Sequence, residues 1–271
     1  MPDYGGEAED LARIRAEVEA GSTDLKALGF WRLLSKIKRD PALIEAFADQ
    51  AAAIDRAAFE RKFRVRLPVW LGNSVLLLAT AALVALVAMA IEIPRTGSFW
   101  FIQTPDGDYD VLGLDARGTW PGILIVVAAG GLSVTVHDLA HWLWGRVAGI
   151  EFSSYFLDGP FRVQPGIKTE YASYLRADPR ARARMHAAGA VASKVAPFAV
   201  FVPAYLVHRS HGYALFPSWS LWALLALGIV QILTDVVWSR KKSDWKRWRR
   251  ERRIAADLYS KGTPGSSDVP G

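Results

Sequence analysis

The stretch Val136-His137-Asp138-Leu139-Ala140-His141 sets two histidines four residues apart, with an aspartate between them. On a helix, residues at this spacing share one face with Cβ atoms about 5–6 Å apart, so both imidazoles can reach a single ion. A His-x-x-x-His pair alone is weak evidence for metal. Its surroundings strengthen it, because residues 121–144 carry no other charged side chain, and ionisable groups deep in an apolar span are costly and mark functional sites. The chain has no cysteine. Disulfides and thiolate ligation are thereby excluded, and any metal must use histidine and carboxylate ligands.

A third ligand can be sought by depth. His141 lies five residues before Arg146, and Asp235 lies five residues before Arg240 in a later apolar stretch of the same direction. At 1.5 Å per residue both are roughly 7–8 Å below the charged boundary. Two histidines and a carboxylate at one depth match a zinc site with an open fourth position. Lys194 lies ten residues past Arg184, roughly 15 Å deep and level with His137. Two plainer readings stay open for it: a buried ion pair with Asp235, or a side chain that snorkels to the headgroups. His186 reads as interfacial and structural, His208 and His211 fall on the far side, and Asp158 reads as a turn residue.

The elements that must position these groups are membrane spans. The 271 residues have a positive mean hydropathy of +0.13 although 22% are charged, and the two populations are segregated into long apolar and short basic blocks. Residues 69–91, 121–144, 185–207 and 214–238 each suffice to cross about 30 Å of hydrocarbon. Residues 1–66 read as a soluble helical region, with Asp40-Pro41 as a helix start and Leu43, Ile44, Phe47, Ala51, Ile54 and Ala58 at helical spacing. A β-hairpin is expected over 99–104 and 109–114, turning at 105–108. Two further strands are expected near 151–157 and 161–163. Residues 241–271 form a basic stretch and a Gly/Pro/Ser tail without expected order. The fold class is therefore an all-α polytopic membrane protein of about four spans, comprising residues 67–240, with short β insertions and a helical N-terminal region.

The cations fix an orientation. Arg61, Lys62, Arg64 and Arg66 precede the first span, the 145–184 loop holds seven Lys and Arg, and ten more follow the fourth span. The 92–120 loop has only Arg95 and Arg117 against five acids. Both termini and the central loop are thus expected in the cytoplasm of a cell-membrane protein. Trp70, Trp120, Trp142, Trp219 and Trp238 fall near span ends, as an aromatic belt requires. The net charge of +6 sits beside apolar blocks, so anionic lipid headgroups rather than nucleic acid are the expected counter-charge. The polar, acidic first twenty residues lack the pattern of a cleaved signal peptide.

His137-Asp138-Leu139-Ala140-His141, with the following Gly145-Arg146, resembles the His-Glu-x-x-His helix of the site-2 protease family of intramembrane zinc metalloproteases. Ala187-Ala188-Gly189-Ala190-Val191-Ala192-Ser193 resembles that family's Ala-Gly-Pro-x-Ala-Asn segment, and Leu233-Thr234-Asp235 its Leu-Asp-Gly aspartate. Leu157-Asp158-Gly159 matches the last motif more literally but stands in a polar loop ahead of the later spans. The resemblance spans roughly residues 121–240. It implies a zinc ion held by His137, His141 and Asp235, a general base at Asp138, and substrate or oxyanion contacts at Ser193 and Lys194. The implied activity is hydrolysis of a peptide bond in a transmembrane substrate, with the strands near 151–157 offering an edge to the unwound segment.

Asp138 departs from that family's glutamate. Its carboxylate has the same proton chemistry but roughly 1.5 Å less reach, and misplacement of about 1 Å can cost on the order of a hundredfold in rate. Two readings follow: an active zinc endopeptidase, or a non-catalytic relative that binds a membrane partner or metal. A haem or ion-conducting bundle fits less well, because both histidines occupy one helix face. The substrate, pathway and oligomeric state are not legible in the residues.

Overall fold

A computed structural model of the chain describes residues 4–96, 110–111, 114–115, 119–158, 164–210, 217–233 and 243–261. In order the elements are α1 (Gly5–Glu19), α2 (Phe30–Ile37), α3 (Pro41–Lys62), β1 (Arg66–Pro68), α4 (Val69–Thr96), β2 (Asp110–Val111), β3 (Leu114–Asp115) and α5 (Thr119–Val147). There follow β4 (Phe152–Asp158), β5 (Gln164–Thr169), α6 (Tyr171–Arg176), α7 (Pro179–Ser210), α8 (Ser218–Leu233) and α9 (Asp244–Lys261). The described chain is mostly helical. It divides into two units, the first comprising Met1–Gly72, Trp142–His186 and Lys246–Gly271, the second Asn73–His141 and Ala187–Trp245.

The first unit is organised by amphipathic helices. Asp40 caps α3, its Oδ1 accepting the Ala42 N–H at 2.9 Å, and Pro41 follows in the first turn, where its missing N–H costs nothing. Leu43, Phe47, Ala51, Ile54 and Ala58 of α3 then pack against Leu11, Ile14 and Val18 of α1 and Phe30, Leu33, Leu34 and Ile37 of α2. The expected N-terminal helix is therefore present, as part of a three-helix core that Leu175 of α6 completes.

The same unit holds a three-stranded antiparallel sheet ordered β1-β4-β5. The strand expected near 151–157 is β4, but it is the central strand. Arg66, Leu67 and Pro68 of β1 pair with Phe156, Tyr155 and Ser154 on one side, and β5 pairs along the other. The edge proposed there for substrate pairing is thus already satisfied by backbone hydrogen bonds. Residues 161–163 lie outside the described residues.

A buried ion cluster ties four segments of this unit together. Glu251 of α9 is fully buried; its Oε1 receives Lys38 Nζ at 2.9 Å and its Oε2 receives Arg182 Nε at 2.9 Å. The Tyr174 hydroxyl donates to Oε1 at 3.1 Å and lies 2.9 Å from His186 Nε2. With the phenol proton given to the carboxylate, which can only accept, His186 Nε2–H donates to Tyr174. Arg182 Nη1 also donates to the Leu175 carbonyl at 2.9 Å. A second buried pair joins Lys168 of β5 to Asp55 of α3.

The second unit is built from apolar helices. Ala90, Ile125, Ala129, Leu132, Ala196, Val200, Ala204 and Leu224 form its core, and a hydrogen bond of 2.9 Å joins the Thr80 and Thr135 hydroxyls of α4 and α5. Small alanines at the contacts allow close helix approach. Among the described residues three helices are long and apolar enough to cross a membrane: Val69–Ile91 within α4, α5, and α7. The first coincides with the expected 69–91, and the other two extend beyond 121–144 and 185–207. The fourth expected span, 214–238, is represented by α8, a sixteen-residue apolar helix; the rest of that stretch lies outside the described residues.

The hairpin expected between 99 and 114 differs where it is described. Asp110 pairs with Asp115 and Val111 with Leu114, so the chain reverses inside the stretch read as one strand. Residues 99–109 lie outside the described residues. The basic stretch after residue 241 holds a further difference: it contains the helix α9, to Lys261.

Candidate metal centre

His137 and His141 stand one turn apart on α5, within the second unit, with ring centroids 4.7 Å apart and ring planes nearly perpendicular at 88°. His141 is 8% exposed and Asp138 5%. A third ligand comes from the start of α9. Asp244 Oδ2 lies 3.4 Å from His137 Nε2 and 3.2 Å from His141 Nε2, and the three ligand atoms fall within 4.8 Å of one another.

α7 supplies the support. His137 Nδ1 lies 3.0 Å from the Gly189 carbonyl oxygen. A carbonyl can only accept, so the Nδ1 proton is committed to it and the lone pair of a neutral imidazole sits on Nε2. That lone pair faces a carboxylate oxygen, and the space between two acceptors calls for a cation, either a proton or a metal ion. A histidine ligand whose other nitrogen donates to a carbonyl is the usual outer-shell arrangement of metal sites. Gly189 also makes room: a Cβ there would fall 2.3 Å from His141 Nε2. No residue with a side chain can bring the α7 backbone this close.

The spacing fits an ion. A tetrahedral shell with bonds of about 2.0–2.1 Å has ligand–ligand separations of about 3.3–3.4 Å, and the two contacts to Asp244 Oδ2 bracket that value. Two imidazoles and one carboxylate would fill three positions of such a shell and leave a fourth open.

The sequence-predicted residues are distributed as follows. His137 and His141 converge, and buried Asp138 accompanies them on α5. Asp235 lies outside the described residues; the carboxylate brought to the histidines among the described residues is Asp244. Ser193 Oγ and Lys194 Nζ both donate to the Ala190 carbonyl, at 3.2 and 3.0 Å, one residue beyond Gly189. His186 is buried in the first unit on Tyr174, and Asp158 ends β4. Asp235 is expected from its depth inside an apolar stretch, and Asp244 stands beyond that stretch. The available signal was Ser243-Asp244 directly after Arg240-Lys241-Lys242, a polar helix-start pair at the end of a cationic run.

Compared with known proteins, the chain matches no family model, no curated protein and no solved structure. The functional reading therefore rests on the geometry just described and on the motif pattern.

Proposed function

We propose that this chain is an intramembrane zinc metalloprotease of the site-2 type. In this reading it has four spans and cytoplasmic termini in a cell membrane, and it cleaves transmembrane protein substrates. The observation that carries it is the pair of imidazoles, one held by a carbonyl through Nδ1, meeting a carboxylate oxygen within a candidate span. His137, His141 and Asp244 are the proposed ligands. Bound zinc would supply Lewis-acid polarisation of the scissile carbonyl and a lowered pKa for the attacking water.

The chain's own residues do the rest. The Gly189 carbonyl holds His137 in the tautomer that leaves Nε2 open toward Asp244. Asp138 takes the proton of the attacking water and returns it to the departing amine nitrogen as the C–N bond breaks, so the carboxylate is regenerated. Burial of Asp138 keeps bulk water from competing for that proton. Lys194 and Ser193, one turn along α7 from Gly189, are the proposed contacts for the substrate carbonyl and backbone.

A second reading rests on Asp138 itself, which is shorter than the glutamate the chemistry usually employs: a non-catalytic relative that retains the metal to bind a membrane partner. Two measurements decide between these. Metal analysis of purified protein is expected to give one zinc per chain, lost in His137→Ala and in Asp244→Asn and retained in Asp235→Asn; retention in His137→Ala ends the site assignment. Cleavage of a transmembrane substrate is expected to rise in Asp138→Glu and vanish in Asp138→Ala. Inactivity of all three proteins on a substrate cleaved by a related protease would establish the non-catalytic reading.

A further inference from the structure

Helix α9 has two unlike faces. At 100° per residue, Asp244, Glu251, Ala255 and Leu258 form one stripe, and Glu251, Ile254 and Ala255 on that side are buried. The opposite arc carries Lys246, Arg249, Arg250 and Arg253, with Arg252 on its flank, all exposed. Glu251, the acid nearest in sequence to these cations, points inward, where Lys38 and Arg182 hold both its oxygens. The outer arc therefore has no carboxylate of its own until Asp257, one to two turns further on. The exposed side of α9 is thus dominated by arginine, with Arg250 also 3.8 Å from Glu251.

Its location selects the counter-charge. The apolar helix α8 ends at Leu233 and α9 begins at Asp244, whose carboxylate touches His141 near the basic end of α5. Trp245 and Trp248 lie in the first turn and a half of α9, and the Arg252 guanidinium stacks over Trp248 at 5.1 Å. Indole beside guanidinium, shortly after an apolar helix in the sequence, is the composition of a headgroup-facing segment.

We propose that the cationic arc of α9 is a docking surface for anionic phospholipid headgroups, with Arg249, Arg250, Arg252 and Arg253 as its principal contacts. The arginine forks match phosphate oxygens in pairs. Each cation held at an anionic surface is worth about fivefold in association. The proposal rests on the membrane setting of the chain, not on catalysis, so a failed protease assay leaves it standing.

The experiment places the full chain in nanodiscs of pure phosphatidylcholine and of phosphatidylcholine with phosphatidylglycerol, and follows amide hydrogen exchange of residues 244–261. Exchange is expected to slow on the order of tenfold in the anionic discs, the difference collapsing at high salt and in the quadruple variant R249Q/R250Q/R252Q/R253Q. Equal exchange of the wild-type chain in both lipids overturns the proposal without recourse to any variant. So does salt-sensitive binding of a fluorescent oligoribonucleotide that persists in anionic discs, which would assign the arc to nucleic acid.

Discussion

The described residues include two clusters that combine histidine with a carboxylate, one buried around Glu251 and one partly buried around Asp244, and they are built on opposite principles. Around Glu251 the charges are closed: two cations take the two carboxylate oxygens, a phenol adds a third hydrogen bond, and His186 engages the phenol. Around Asp244 they are open: two imidazole nitrogens face one oxygen, with the proton of His137 spent on Gly189. A low-dielectric interior tolerates the first arrangement because each group is compensated by a neighbour in the chain. In the second, His137 Nε2, its lone pair free for a ligand, faces a carboxylate oxygen that His141 also meets, and a proton or a metal ion between them would compensate the pair. The first arrangement is that of a structural cluster and the second that of the proposed metal site, although the residue types overlap.

The strongest way to break this contrast is to open the closed cluster. Glu251→Ala leaves Lys38 and Arg182 buried without their counter-charge, and loss of one partner of a buried pair costs about 3–5 kcal/mol. Thermal unfolding of the purified chain in micelles is expected to show the loss, with α9 amides exchanging fastest. A melting point equal to that of the wild type would mean that the cluster is not closed in the sense argued here.

The open cluster should respond in ligand affinity instead. Substituting Ala for Gly189 retains the carbonyl but drives a methyl group into the His141 ring. Outer-shell changes of this kind typically cost about 10–100-fold in metal affinity, and competition with a chromophoric chelator measures it directly. Serine should be worse than alanine. An unchanged affinity in Gly189→Ala would remove Gly189 from the site.

The same contrast explains what could be read before folding. Hydropathy placed the first three spans because a helix in lipid satisfies its own backbone, so composition alone marks it. Asp40-Pro41 placed the start of α3 because capping is local. Strand β1 escaped notice, since Arg66-Leu67-Pro68 is too short for alternation and ends in a residue without an N–H. Gln164-Pro165-Gly166 signals a turn and yet opens β5 at the sheet edge, where proline is tolerated. Helix α9 is so rich in Arg and Lys that its buried stripe rests on few residues, and one of them is the charged Glu251. The pairing of His137 with His141 is legible from local spacing, whereas Asp244 stands about a hundred residues from them and no local pattern joins it to α5; Asp235 lies outside the described residues.

The smallest expected effect sharpens the closed cluster through pH. Burial pulls the Lys38 ammonium down to about 8, against the raising influence of Glu251, whereas in the unfolded chain a lysine titrates near 10.4. Between these values the unfolded chain binds more protons, so stability rises with pH and is lost again as pH falls through 8. The facing groups do not titrate in that window. Burial holds the Tyr174 hydroxyl well above its usual range, and Glu251, despite its burial, is kept below the usual carboxylate range by Lys38 and Arg182. Raising the pH from 7.5 to 9.5 is therefore expected to raise the melting temperature by about 2–4 °C. Lys38→Met, which leaves Glu251 paired with Arg182, should flatten that slope. If the slope survives the substitution, another group carries it and the cluster owes its closure to Arg182 alone.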